Sequence, residues 1–375
     1  MKQKVCMVGP FPPPMNGNSK AFDTIIQSDI CHRLFDFEKI DLYALYSGKN
    51  GKASISKLKG VFSLNSAIRK VRKKEDIDTY YISCAQTAVG SIRDAVIIRQ
   101  ILKQKKACKT VMHLHGGGFK TFYERANPLI RKMVRWYYAQ VDQVIVLGES
   151  LRAQYDGIVP TGKLVTVPNC VDDDMVISEA EYEEKIKEIK RSDRIKVLYL
   201  SNMIESKGYK DVLKAALKLH GVNTNIVFTF AGAFRADRDR IEFERFVADN
   251  KLYDTVNYVG IVQGEQKRKL LLESYIFVLP TYYPNEGQPI SIIECMSAGM
   301  AILSTDHAGI CDLLKPEYNG RFIEAKNSDS ICENILKLTD RNEIIKFSGK
   351  SRAFAKSDFT EEKYISRICE ILYRQ

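Results

Sequence analysis

The chain has 375 residues, of which 45% are hydrophobic and 27% charged, and its formal net charge is +11. This length exceeds one typical core and predicts two domains, and no apolar run approaches the roughly 20 residues that span a bilayer. The N-terminus is too short in its apolar part for a secretion signal and is typical of a buried strand. Nine scattered cysteines without a C-x-x-C pair favour reduced thiols in a cytoplasmic protein over a disulfide or zinc framework.

Short apolar runs alternate with helical stretches along the chain, which predicts two doubly wound α/β domains. The first part has strands at 5–9, 79–83, 109–113 and 143–147, with helices at 95–105 and 129–140. A charged helical segment at 179–194 then predicts an exposed connector. The alternation resumes with strands at 196–201, 225–231, 255–259, 275–280, 300–304 and 320–323, followed by an amphipathic helix at 360–373.

The segment from Glu286 to Glu294 combines a strand end, a loop and a helix start. Pro289 suits the first helical position, and Gly299 suits the left-handed position just past the helix end. Glu286 is therefore predicted in a loop at the helix mouth and Glu294 inside the helix. Because a helix N-terminus attracts anions, this arrangement favours a nucleotide-sugar site. The alternative is an ordinary loop acid followed by a solvated helical acid.

Three other loops follow predicted strands, at the edge where open α/β sheets bind ligands. The Pro-rich loop at 9–19 lacks a G-x-G-x-x-G fingerprint, which argues against a dinucleotide enzyme. Three glycines at 116–118 let the backbone approach a ligand beside His115. The loop at 201–208 brings Lys207. A rigid loop and a structural histidine are the alternatives for the first two loops.

Taken in this order, the motifs resemble those of retaining glycosyltransferases of the GT-B fold, in glycosyltransferase family 4 (glycosyl transferases group 1). Glu286 and Glu294 match the family's E-x7-E signature, and Lys207 with Gly208 matches the end of its G-R-L-x-x-x-K-G loop. The resemblance implies two Rossmann-like domains facing a cleft, with a C-terminal helix crossing back to the first domain. It implies these boundaries: an acceptor-side domain at 1–173, a connector at 174–194, a nucleotide-sugar domain at 195–355 and the terminal helix at 356–375.

The resemblance also implies roles for individual residues and no metal ligands. The catalytic set is Glu286, His115 and Lys207. The donor-binding set is Gly17, Asn18, Asn202, Lys207, Gly287, Gln288, Pro289, Ile290 and Glu294. Asn202 departs from the family because it stands where an arginine is usual, and an amide supplies neither the charge nor the bidentate fork of a guanidinium. Arg235 is a candidate to replace that charge.

The function implied is metal-independent, retaining transfer of a hexose from a nucleotide-sugar, with UDP favoured over GDP and no further cofactor. The acceptor expected is a glycan, carried on a polyprenyl lipid, in surface polysaccharide biosynthesis. A nucleotide-sugar 2-epimerase and a non-catalytic glycan- or nucleotide-binding relative are the alternatives.

A basic stretch at 49–74 and the aromatic, basic helix at 129–138 predict attachment to an anionic membrane surface from the cytoplasmic side. A solvated loop is the plain alternative for the basic stretch, and for the helix the alternative is that Trp136, Tyr137 and Tyr138 are ordinary core residues. Nucleic acid is not expected as a partner, because no nucleic-acid-binding module accompanies the basic residues.

Overall fold

A computed structural model describes residues 2–15, 17–43, 55–74, 76–223 and 225–374, the side chains of 55–59 excepted. It divides into two compact units. The first domain comprises Met1–Asn169 together with Glu361–Gln375, and the second comprises Cys170–Thr360.

The first domain is built on a parallel sheet of six strands in the order β2-β1-β3-β4-β5-β6. The central strands are buried on both faces, as parallel strands between helices are, which is why they stand out in the sequence as continuous apolar runs. The strands are β1 (Gln3–Gly9), β2 (Phe35–Asp41), β3 (Thr79–Ser83), β4 (Lys109–His113), β5 (Gln143–Val146) and β6 (Leu164–Thr166). The helices are α1 (Gly17–Gln27), α2 (Asp29–Leu34), α3 (Ile55–Lys74), α4 (Ala88–Ile101), α5 (Phe119–Arg125) and α6 (Pro128–Ala139).

The C-terminal helix, Glu361–Leu372, returns to the first domain, as the resemblance implied. The Thr79 hydroxyl donates to the Leu372 carbonyl over 2.8 Å. The Sγ atoms of Cys31 and Cys369 lie 3.6 Å apart. The apolar side of this helix therefore packs against the first domain.

The second domain repeats the plan with strand order β12-β11-β10-β7-β8-β9. The strands are β7 (Ile195–Leu200), β8 (Ile226–Ala231), β9 (Val256–Gly260), β10 (Ile276–Leu279), β11 (Ala301–Ser304) and β12 (Gly320–Phe322). The helices are α7 (Glu179–Arg191), α8 (Tyr209–His220), α9 (Asp237–Asp249), α10 (Gly264–Glu273), α11 (Ile290–Ser297), α12 (Ser328–Lys337) and α13 (Arg341–Asp358), with the C-terminal helix following as α14. Because β7 and β10 are neighbours, the loops that follow them start side by side at the carboxyl edge.

The prediction that the charged segment is an exposed connector is wrong, because its helix α7 is part of the second domain. Ile189 is fully buried in the second domain's core. One turn earlier, Lys185 is also buried, and its ammonium donates to the carbonyls of Leu271 and Ala298 over 2.8 and 2.7 Å. The buried stripe is narrow and one of its members is a lysine, so the helix resembles a solvated one in sequence.

Candidate active site in the second domain

The carboxylate of Glu286 lies in the loop between β10 and α11, where it meets a lysine and a threonine. Lys207 Nζ is 2.6 Å from Glu286 Oε2, and both side chains are largely buried. The Thr281 hydroxyl donates to the same oxygen over 2.9 Å. Lys207 also lies 5.1 Å from the centre of the Tyr283 ring. The structure thus brings two predicted catalytic residues, 79 positions apart in the chain, into direct contact.

A glycine fixes the loop that carries Lys207. Gly208 has a φ of +83°, a conformation that side chains disfavour. A Cβ at this position would lie 2.5 Å from the carbonyl oxygen of Pro280, the first residue after β10. The Tyr282 N–H donates to the Ser206 carbonyl over 2.8 Å. The two loops are therefore held together by backbone contacts, which leaves the Lys207 and Glu286 side chains little freedom to separate.

A third loop, after β11, is hydrogen-bonded to the loop that carries Glu286. The Thr305 hydroxyl donates to the Thr281 carbonyl over 2.6 Å. Further along, the Gly309 N–H donates to the Gly287 carbonyl over 2.9 Å. His307 Nε2 lies 2.8 Å from the carbonyl of Tyr283. The backbone around Glu286 is consequently fixed by its neighbours before any ligand arrives.

Helix α11 starts one residue later than predicted, with Pro289 as its N-cap, and Gly299 has the expected left-handed φ of +64°. Glu294 lies inside the helix and is buried. Its Oε1 pairs with the ammonium of Lys267 from α10. Lys267 was not predicted as a site residue, and nothing in its sequence surroundings marks it, since its partner lies 27 positions away on another helix.

The remaining predicted donor residues of this domain lie around the same edge. Gly287, Gln288 and Pro289 are buried, and Ile290 opens the helix. Asn202 is exposed, and its carbonyl accepts a hydrogen bond from the Tyr199 hydroxyl over 3.1 Å. The loop after β8 runs alongside, because Met203 pairs with Phe234 there. Arg235, the next residue, is exposed.

The predicted residues of the first domain gather at the carboxyl edge of its own sheet. Gly17 is the first residue of α1, and Asn18 follows it half-buried. His115 lies two residues beyond β4, with its ring 3.8 Å from that of His113. Burial lowers the pKa of His115 to about 3, so its imidazole is neutral throughout the physiological range. A neutral ring can donate or accept a hydrogen bond but supplies no positive charge.

Electrostatically, the second-domain site consists of two buried acids that are each neutralised by a lysine. Such a site can bind hydroxyl groups through carboxylate oxygens and phosphate oxygens through ammonium groups. Within the described residues, no group of three or more His, Cys, Asp and Glu side chains is arranged to bind a metal ion. The chemistry that these side chains offer is recognition of a polar, anionic ligand.

A comparison with known protein families finds a match in the second domain. The family model of glycosyl transferases group 1 matches residues 181–353, which lie within the second domain. The match supports a relationship between this chain and the group 1 glycosyltransferases. It includes α7, in agreement with the place of that helix in the second domain.

Individual relatives resemble the chain over different lengths. An amylovoran biosynthesis glycosyltransferase of Erwinia amylovora is 23% identical over 48% of this chain, which spans about half (45%) of that protein. An Escherichia coli UDP-Gal:α-D-GlcNAc-diphosphoundecaprenol α-1,3-galactosyltransferase is 22% identical over 85% of this chain and 80% of its own length. The structure of Anabaena HepE in complex with UDP-glucose aligns with a TM-score of 0.72 at 14% identity, covering 98% and 99% of the two chains. The two parallel sheets and this likeness confirm the predicted GT-B fold.

Proposed function

We propose that the protein is a glycosyltransferase that transfers a sugar from a UDP- or GDP-sugar to a glycan, with retention at the anomeric carbon and without a metal ion. The observation that carries the proposal is the contact between Lys207 and Glu286 at the mouth of α11, 2.6 Å long. It combines a cation for a diphosphate with a carboxylate for sugar hydroxyls in one buried position. The group 1 match over the same residues supports it.

Each side chain then has a defined task in the reaction. Departure of a nucleoside diphosphate builds negative charge, which Lys207 and the N-terminus of α11 stabilise. Glu286, with the N–H groups of Gly287 and Gln288, orients the transferred sugar. Glu294, one helical turn deeper, accepts hydrogen bonds from the ribose hydroxyls.

In the first domain, His115 hydrogen-bonds the transferred sugar as a neutral imidazole, and Gly17 with Asn18 approaches the diphosphate. The acceptor oxygen attacks on the face from which the diphosphate leaves, and the departing phosphate helps to take its proton. These roles follow the family resemblance. They are proposals for this chain.

The experiment that tests the proposal is calorimetry and thermal shift with UDP, GDP, ADP and their sugar conjugates, with and without EDTA. We expect one nucleotide to bind equally well in both conditions, with UDP favoured. Glu294→Gln should reduce binding and lower turnover at least about tenfold, because a positioned acid that accepts ribose hydroxyls is lost. Glu333→Gln, at an exposed acid of α12, serves as the matched control.

Absence of binding by every nucleotide would contradict the proposal and would favour the non-catalytic alternative, for which the missing arginine at Asn202 is the motivating observation. Release of free nucleotide and an epimerised sugar without any acceptor would favour the 2-epimerase. Equal turnover of Glu294→Gln and Glu333→Gln would remove Glu294 from the donor site.

We further propose that the acceptor is carried by a lipid in an anionic membrane surface, which the first domain contacts. Of the aromatic residues on α6, Tyr137 and Tyr138 are core residues and only Trp136 is exposed. Leu129 and Trp136 are 80% and 40% exposed and seven residues apart, so they share one helix face with Lys132. On α3, Leu64 and Ile68 are buried while Phe62 is exposed. Exposed basic residues accompany it on α3: Arg69, Lys70, Lys73 and Lys74. Lys49 and Lys52 of the predicted basic stretch lie outside the described residues.

Apolar and cationic side chains exposed together are typical of helices that lie in the membrane interface. Among the described helices, none has the length and apolarity to cross a bilayer. Co-sedimentation with vesicles of rising anionic-lipid content should show binding that Leu129→Ser with Trp136→Ser weakens. Val222→Ser, at a 72% exposed valine of the second domain, is the control. Binding that is indifferent to anionic lipid would contradict the membrane proposal.

A further inference from the structure

Two histidines stack on each other where β4 ends in the first domain. His113 closes the strand and His115 follows two residues later, so the alternation of an extended chain directs both rings to one side. Their ring centres lie 3.8 Å apart with a tilt of 31°. Within the part of the chain that the structure describes, neither Nε2 has a hydrogen-bond partner. His113 is completely buried, whereas His115 is half-buried.

Tyr81, on the neighbouring strand β3, holds the inner ring of this pair. Its hydroxyl lies 2.5 Å from His113 Nδ1, and the two rings meet edge to face with centres 5.8 Å apart. Burial raises the pKa of Tyr81, so the hydroxyl keeps its proton, and burial lowers the pKa of His113 well below its ordinary value. A protonated hydroxyl facing a neutral imidazole can donate to Nδ1. The ring proton of His113 is then on Nε2.

We propose that Tyr81 and His113 are positioning residues for His115. The Tyr81 hydroxyl fixes the tautomer and the plane of His113, and the face of that ring fixes the plane of His115. The inference rests on the proposed function, in which His115 hydrogen-bonds the transferred sugar. It adds two residues that neither touch that sugar nor belong to the predicted site.

The local sequence explains why His115 needs such support. Three glycines follow it, at 116–118, and glycine backbone is conformationally permissive. A Cβ at Gly116 would come within 2.0 Å of Gln86 Nε2, so the Gln86 side chain packs directly against this glycine. The loop can therefore pass close to a ligand, but it contributes no side-chain packing of its own around His115. The stacked ring of His113 packs directly against the ring of His115. The ring of Phe22 lies farther from His115, with 6.3 Å between the two ring centres.

The test compares two tyrosines of the same domain that each lose one buried hydroxyl. Tyr81→Phe removes the contact of this hydroxyl with His113 and its hydrogen bond with Tyr364 of α14. Tyr138→Phe, the matched control, removes a hydrogen bond of 2.9 Å to the Tyr155 hydroxyl. Two measurements are made on each full-length variant: the long-range ¹H–¹⁵N spectrum of the histidine rings, assigned with His113→Gln and His115→Gln, and kcat and KM for the UDP-sugar.

We expect Tyr81→Phe to shift the ring nitrogen signals of both His113 and His115 and to lower kcat about tenfold, since small misplacements of a positioned group are costly. The KM for the donor should stay nearly constant. Tyr138→Phe should leave the signals and kcat close to wild type.

Unchanged His115 signals in Tyr81→Phe would overturn the inference, and so would equal losses of kcat in the two variants, which indicate a general packing effect. If the wild type transfers no sugar, the proposed function fails by itself. The nitrogen spectrum then decides whether Tyr81 sets the ring of His115.

Discussion

Lys185 gives the second domain a stability that depends on pH in a predictable direction. Its buried ammonium donates to the carbonyls of Leu271 and Ala298, and no carboxylate of the described residues pairs with it. Burial lowers its pKa from 10.5 to about 7. Because Ala298 is the C-cap of α11, this lysine also anchors the helix whose other end carries the proposed donor site.

The direction of this pH dependence follows from the number of protons that the folded and unfolded chains bind. Between pH 7 and pH 10.5 the unfolded chain keeps the Lys185 proton while the folded chain has lost it, so raising the pH favours the folded state. At ~1.4 kcal/mol per pH unit, and with half of the folded molecules already deprotonated near pH 7, the unfolding free energy should rise by about 2 kcal/mol from pH 7 to pH 9. Below pH 7 this contribution to the pH dependence vanishes.

Urea unfolding of the wild type and of Lys185→Met, followed by circular dichroism at pH 6, 7, 8 and 9, measures the effect. Trp136, the single tryptophan, lies in the first domain, so its fluorescence identifies that domain's transition and the other transition belongs to the second domain. From pH 7 to pH 9, the unfolding free energy of the second domain should rise by about 2 kcal/mol less in Lys185→Met than in the wild type. Lys187→Met, at an exposed lysine of the same helix, is the control and should behave like the wild type. Identical pH profiles for all three proteins would refute the reasoning.

Four further predictions concern the second-domain site. Gly208→Ala, strained at a φ of +83° and crowded against Pro280, should lower the unfolding free energy by more than about 1 kcal/mol in urea unfolding, whereas Gly162→Ala, with open space around it, should cost less. EDTA should leave turnover of a UDP-sugar unchanged, and a loss restored by Mg²⁺ or Mn²⁺ would disprove metal independence. Asn202→Arg should tighten UDP binding in calorimetry about tenfold by adding a charged donor, whereas Asn202→Gln should not. Glu286→Gln should free Lys207 for the diphosphate, so that UDP binds more tightly while kcat falls at least about tenfold; weaker UDP binding would contradict that competition.

The central strands could be predicted from the sequence almost to the residue. The predicted strands at 79–83 and 109–113 coincide with β3 and β4, because their residues are buried on both faces and form continuous apolar runs. The two strands missed in the first domain, β2 and β6, are the two edges of that sheet. Edge strands have one unpaired side, and β2 mixes charged with apolar residues. The predicted helix at 95–105 begins earlier, at Ala88, because Thr87 caps it by accepting from the Gly90 N–H.

The site was predictable where function depends on local chain geometry and unpredictable where it depends on pairing. Pro289 and Gly299 indicated both ends of α11, and the loop place of Glu286 followed from them. The partners of the two acids come from elsewhere. Thr281, at a strand end five residues before Glu286, could have been suspected, whereas Lys267 lies on another helix with an unremarkable charged sequence.

The eight-residue spacing of the two acids has a physical reason in this fold. Glu286 precedes α11 and belongs to a loop held by the Pro280 and Gly309 backbones, whereas Glu294 is the fifth residue of the helix. At 1.5 Å per residue, Glu294 lies about 6 Å along the axis from the first helical residue. One carboxylate is therefore fixed beside the helix mouth, next to Lys207, and the other lies deeper, beside Lys267. In the proposed function, these two positions bind hydroxyl groups on either side of the diphosphate of a nucleotide-sugar.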